Sequence, residues 1–179
     1  MSARPLLIQP VPVWDRFVRV FHWSLVGCVL VNYFWLDDGK NIHQWLGYAA
    51  SALVVARIGW GFIGTRHARF SSFFPTPSRL RRHVAGLLSG QHEFHAGHNP
   101  LGALMMLALM ASVLTLGLSG WMQSLDAFWG EEWLQELHEL AANGLIALAF
   151  CHALAAIVVG RLERTRLIRA MFTGLKERW

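Results

Sequence analysis

Four long apolar stretches govern what this chain can fold into. They run from about Phe17 to Leu36, from His43 to Gly64, from Pro100 to Met122 and from about Leu137 to Val159. Each is long enough to cross a bilayer, which takes roughly 20 helical residues. A chain of 179 residues built on four such spans is expected to be one transmembrane domain, residues 1–179. The composition fits. Hydrophobic residues make up 54% and charged residues 15%, against about 25% charged in soluble domains, and mean hydropathy is +0.36. A disordered chain is excluded, because so much apolar surface has to be buried, and a large soluble enzyme is disfavoured. Nine Trp and eleven Phe suit a protein with two membrane–water interfaces. Asp15 is placed to cap the first span, and Pro100 stands where a first-turn proline is tolerated. The short connection 37–42 makes spans one and two a tight hairpin. The expected fold is all-α, a four-helix transmembrane bundle running up-down-up-down.

Charge orients the bundle. Arg4, Arg16 and Arg19 precede the first span. Arg66, Arg69, Arg79, Arg81 and Arg82 lie between spans two and three, and Arg161, Arg164, Arg166, Arg169, Lys176 and Arg178 follow the fourth. The other side has Lys40 as its one basic residue, with Asp37, Asp38, Asp126, Glu131, Glu132 and Glu136. The positive-inside rule puts both termini in the cytoplasm. The net charge of +5 and a pI near 10.0 therefore reflect topology, and no nucleic-acid partner is expected. Nothing before Val13 reads as a cleavable signal. Within the long connection, Ser78–Ser89 places Leu80, Val84, Leu87 and Leu88 at helical spacing among Arg79, Arg81, Arg82 and His83. That reads as a short basic helix on the inner surface, the alternative being a solvated charged loop. Cys28 and Cys151 fall in apolar segments and are expected as small buried hydrophobes. No Cys-x-x-Cys-His occurs, so covalent c-type haem attachment is excluded.

Intramembrane histidine is costly, and so is a functional candidate by default. His67, His83, His92 and His95 fall in the inner connection and read as surface residues. His22, His43, His138 and His152 fall within or at the ends of spans. His138 and His152 share the fourth span, 14 residues apart, which is about 21 Å along a helix and close to four turns, so they face nearly the same way. His43 opens span two level with His138. His22 lies 15 residues before Asp37, about 22 Å below the outer edge, level with His152. Two layers result, each with histidines from two helices. A non-covalent b-type haem needs such a bis-imidazole pair, one nitrogen on each side of its iron, and bundle cores commonly build such sites. Gly27, Gly47, Ala141, Ala142, Gly144, Ala149, Ala155 and Ala156 beside these histidines leave room for a flat macrocycle, or else simply let helices pack closely. Arg57 is the one charge deep in a span, 14 residues after His43. It either meets a haem propionate at the inner level or snorkels to the interface.

These residues resemble a known family. Val13-Trp14-Asp15 with Phe21-His22-Trp23, His43-Gln44-Trp45-Leu46-Gly47, Arg57-Ile58-Gly59-Trp60-Gly61-Phe62-Ile63-Gly64 with Ala68-Arg69-Phe70, Gly97-His98-Asn99-Pro100-Leu101-Gly102 and the span-four histidines together look like a bacterial di-haem cytochrome b561. The branch is the one that includes the b-type cytochrome subunits of nickel–iron hydrogenases and formate dehydrogenases. The resemblance covers nearly the whole chain. It implies two b haems held by one histidine from span one, one from span two and two from span four, and exchange of electrons with membrane quinone. It also implies a quinone site at the start of span three, where Asn99 and Gly102 match and His98 stands near enough to exchange a proton. His98-Asn99-Pro100 alone reads equally as a helix start with its cap. The chain ends soon after span four, so it is more similar to stand-alone members of the family.

The expected function is a di-haem b-type membrane cytochrome, with haems on His22/His152 (inner) and His43/His138 (outer). It passes electrons between membrane quinone on the inner side and a periplasmic partner such as a c-type cytochrome or dehydrogenase. The resemblance also allows a superoxide oxidase that takes electrons from superoxide at the outer haem. A metal transporter would place histidines in the membrane too, but it usually adds carboxylates, and none lies deep in these spans.

Overall fold

A computed structural model describes residues 10–36, 41–90 and 95–177. Arg4, Asp37, Asp38, Lys40, His92 and Arg178, which figure in the charge and histidine patterns, lie outside them. Four helices are long and apolar enough to cross a membrane: α1 (Arg16–Phe34), α2 (Asn41–Ile63), α5 (Pro100–Gln123) and α6 (Glu132–Leu162). Between α2 and α5 come α3 (Phe70–Phe73) and α4 (Pro77–Leu88). After α6 come α7 (Leu167–Thr173) and strand β2 (Leu175–Lys176), which pairs antiparallel with β1 (Val11–Pro12).

Caps decide where the helices start. Asp15 accepts from Val18 N at 2.9 Å and opens α1. Thr76 caps α4, with Pro77 in its first turn, and Asn99 caps α5, with Pro100 behind it. The fourth expected span, 137–159, is longer at both ends in α6. Glu132 to Glu136 are helix formers with no stop signal among them, so the helix continues past the apolar run. Hydropathy marks hydrocarbon, whereas caps and breakers mark helix ends.

Long helices that follow one another in sequence pack together: α1 on α2, α2 on α5, α5 on α6. Their shared core is Phe21, Ala50, Val54, Met110, Val113 and Leu145. At Gly117 a Cβ would collide with the Ser51 side chain, so glycine is what lets α5 approach α2 there. Elsewhere the helices turn large apolar side chains outward, among them Val20, Trp45, Phe62, Leu140 and Phe150. Each such side chain left in water forgoes about 1.5–3 kcal/mol. A handful outweighs the ~5–15 kcal/mol by which a domain is stable, so this surface requires an apolar solvent. Cys28 and Cys151 correct the expectation of burial. Cys28 is half-buried and Cys151 is exposed, because in lipid the outside of a span is as good a place for a small apolar group as the core.

One end of the bundle is tied together by polar contacts. The second oxygen of Asp15 accepts from Trp60 Nε1 (3.0 Å) and Thr65 Oγ1 (2.7 Å), joining the start of α1 to the end of α2. Val13 N and Trp14 N donate to Gly174 O at 2.9 and 3.1 Å. Gly174 has φ +83°, and a Cβ there would meet Trp14 O. Arg19 and Trp23 on α1 donate to the carbonyls of Phe172 and Met171 in α7. Lys176 Nζ donates to His95 O at 2.6 Å and lies 3.9 Å from the Glu163 carboxylate, both side chains being buried. This basic end thus gathers the start of α1, the end of α2, the approach to α5 and the end of α6. At the other end, a 3₁₀ turn (Asp126–Phe128) precedes Glu131 and α6.

Candidate functional site

α6 keeps its closest backbone neighbours in α5 and α7, and approaches α1 and α2 mainly through side chains. Four of those side chains are histidines. His22, in the second turn of α1, faces His152 of α6 with ring centroids 6.4 Å apart and planes inclined by 52°. His43, in the first turn of α2, faces His138 of α6 at 6.2 Å and 53°. The histidines grouped by depth are therefore neighbours in space. A metal–imidazole bond of about 2 Å puts a ring centroid about 3 Å from the metal, so two imidazoles on opposite sides of one iron stand about 6 Å apart. Both pairs have that spacing. Among the described residues, no three His, Cys, Asp or Glu side chains converge as a metal cage. The arrangement suits two axial ligands with the remaining donors on a macrocycle.

Behind the acidic-end pair stands a residue the sequence reading passed over. Ser119, on the last turns of α5, is buried, and its Oγ lies 2.8 Å from His138 Nδ1. The depth argument used for the histidines could have found it, since α5 ends on the level where α6 begins. Behind the basic-end pair, Nδ1 of His22 is buried and has no hydrogen-bond partner. Gly27 and Gly144 have open space where a Cβ would stand, so close helix packing does not account for them.

Arg57 does not snorkel. It is 1% exposed, because Gly61 lets the Phe70 ring lie against α2, where a Cβ would collide with it. The guanidinium then sits 5.5 Å below that ring. Nη2 donates to Ala68 O at 3.0 Å, and Nη1 is buried without a partner. Asp15 is near enough to feel the charge of Arg57, but no group bonds Nη1 among the described residues, and a buried donor left unsatisfied is costly, so the position has room for a further carboxylate such as a haem propionate.

His98 is held between Trp14 and Phe73, with ring centroids at 4.7 and 4.9 Å, and its Nδ1 is buried without a partner. Burial, reinforced by the charge of Arg57, pushes its pKa down to about 3, so the ring is neutral at physiological pH. It borders a cavity of about 210 Å³ lined also by Arg79, Arg82, His83 and His95. Asn99, next to His98 in the chain, caps α5, its Oδ1 accepting from Gly102 N at 2.7 Å. His67, on the turn after α2, packs near Gly97.

The family described as prokaryotic cytochrome b561 matches residues 13–174, from the turn before α1 to the end of α7. This chain belongs to the prokaryotic cytochrome b561 family. Among its relatives is cytochrome b562 of Cereibacter sphaeroides, 27% identical, the match covering 89% of this chain and 95% of that protein. Two others are named as probable Ni/Fe-hydrogenase B-type cytochrome subunits. The one from Rhizobium leguminosarum bv. viciae is 23% identical over 93% of this chain and 88% of its own length. The one from Rhodobacter capsulatus is 23% identical over 90% and 79%. No solved structure gives a significant match. Membership in the cytochrome b561 family implies haem b and membrane electron transfer, on a chain with four helices fit to cross the bilayer.

Proposed function

We propose that this cytochrome b561-family chain holds two b haems and relays electrons between membrane quinone at its basic end and a periplasmic redox partner at its acidic end. The observation that carries the reading is the separation of the two imidazole pairs, 6.4 and 6.2 Å. His22 and His152 would hold the inner haem, and His43 and His138 the outer. Arg57 gives the inner haem's propionate a buried counter-charge. The asymmetry of Arg and Lys between the two ends supports an up-down-up-down bundle with both termini cytoplasmic and α4 lying along the inner surface of the bacterial inner membrane.

Haem b, when bound, supplies a one-electron couple at iron whose potential depends on ligands and surroundings. The chain's own residues do the rest. The two α6 histidines set the distance between the levels. His22 and His43, from the other two helices, complete each pair. At the basic end, neutral His98 can accept a hydrogen bond from a quinol hydroxyl. Asn99 keeps its oxygen in the cap and has Nδ2 to offer a quinone carbonyl, while Gly102 leaves that approach unobstructed. These residues would bind and orient quinone beside the His22–His152 level.

The test is haem content. The purified chain should give a pyridine haemochrome spectrum equivalent to two b haems. His22→Ala and His152→Ala should each remove the same haem, and His43→Ala and His138→Ala the other, whereas His98→Ala should leave two. Retention of both haems in all four ligand variants, or loss of one in His98→Ala, would overturn the assignment.

A further inference from the structure

The two imidazole pairs differ in what stands behind them. Ser119 Oγ lies 2.8 Å from His138 Nδ1 and 3.3 Å from the carbonyl oxygen of Leu116. With Nε2 turned to a metal, His138 Nδ1 carries the ring hydrogen. Ser119 Oγ then accepts it, and the hydroxyl keeps the Leu116 carbonyl as the acceptor for its own proton. Ser119 is 2% exposed, so water does not compete for the bond. Gly120 lets the ring lie close against α5, since a Cβ there would stand 3.3 Å from His138 Cε1. At the other pair, His22 Nδ1 is buried and has no hydrogen-bond partner among the described residues.

We propose that Ser119 is a positioning residue for His138, and that it lowers the reduction potential of the centre held by His43 and His138. A hydrogen bond accepted from Nδ1–H fixes the tautomer and makes the imidazole a stronger donor through Nε2. A stronger donor stabilises the oxidised metal, so the potential falls. This rests on the two-haem reading above. α5 supplies a partner to His138 at the acidic-end level, and among the described residues none hydrogen-bonds His22 Nδ1.

The experiment is an optical redox titration of the purified holoprotein, with electron paramagnetic resonance of the oxidised form. Ser119→Ala should raise the midpoint of the outer haem, leave that of the inner haem in place, and shift the low-spin ferric signal of the outer haem alone. Ser119→Thr keeps the hydroxyl and should restore both readouts. Ser119→Cys, of similar shape but a weak acceptor, should fall between, and it keeps the test open if the alanine variant folds poorly. Repeating the titration on His22→Ala isolates the outer centre and assigns the shift. Haem-loaded Ser119→Ala or Ser119→Cys with unchanged midpoints and spectra would overturn the proposal, as would equal shifts of both centres. A wild-type chain without haem would overturn the reading beneath it, which is a different result from either.

Discussion

At the scale of single residues, Asn99 caps a helix and, in the proposed function, meets a ligand as well. Its Oδ1 accepts from Gly102 N, so an apolar replacement costs the cap, about 1 kcal/mol, along with any contact to quinone. Asn99→Asp separates the two, since aspartate caps equally well and has no amide to donate. Asn99→Asp should keep the thermal stability and haem spectrum of the parent while slowing reduction by quinol, and Asn99→Leu should lose on both counts. An unchanged quinol rate in Asn99→Asp, followed by stopped flow over a range of quinol concentrations, would remove Asn99 from the site. The pairing of the histidines was legible because helix rise is constant, so counting residues measures depth. Arg57 was not: a snorkelling arginine and a buried one have the same sequence, and it is Phe70, folded back from α3 onto Gly61, that closes over it. Ser119 was missed because a lone serine in an apolar span usually bonds its own helix, as Ser112 and Ser51 do here.

At the scale of elements, Asp15 is the joint between α1 and α2. Burial raises its pKa, but the Thr65 hydroxyl, the Val18 amide, the Trp60 indole and the charge of Arg57 overcome this and hold the carboxyl below its usual range. A group depressed in the folded state stabilises above its unfolded pKa, and that stability is lost as pH falls. The parent should therefore lose melting temperature below about pH 5, as pH falls through and past the ordinary carboxyl range, more steeply than Asp15→Asn, with helical circular dichroism in detergent as the measure. Equal slopes would remove Asp15 from the acid-sensitive set. Asp15→Ala should cost about 1 kcal/mol from the cap alone. The four long helices and the basic helix near 78–89 were legible from apolar runs, caps and spacing. The β1–β2 pair and α7 were not, because two-residue strands and a seven-residue helix are too short to carry a period, and their contacts reach across some 150 residues to Arg19 and Trp23.

At the scale of the whole molecule, charge is divided between the two ends. The acidic end carries Asp126, Glu131, Glu132 and Glu136 around the His43–His138 level. A field of one sign changes association rates by about ten- to a thousand-fold, and salt weakens it. Electron exchange with a basic soluble cytochrome c should thus slow as ionic strength rises, and superoxide, an anion, should react far below the diffusion limit. Salt-independent exchange, or rapid superoxide consumption, would reverse the choice of partner. The spacing of His138 and His152 along α6 has an electrical meaning as well. Their separation of about 21 Å is about two thirds of a hydrocarbon layer some 30 Å thick. An electron moved between those levels crosses a similar share of the transmembrane voltage, which is worth about 1.6 kcal/mol per 100 mV. In the proposed orientation, with the cytoplasm negative, the voltage favours outward electron transfer and opposes inward transfer. The two proposed centres would therefore behave as a voltage-biased junction, their electron distribution shifting more than about tenfold for each 100 mV across the membrane.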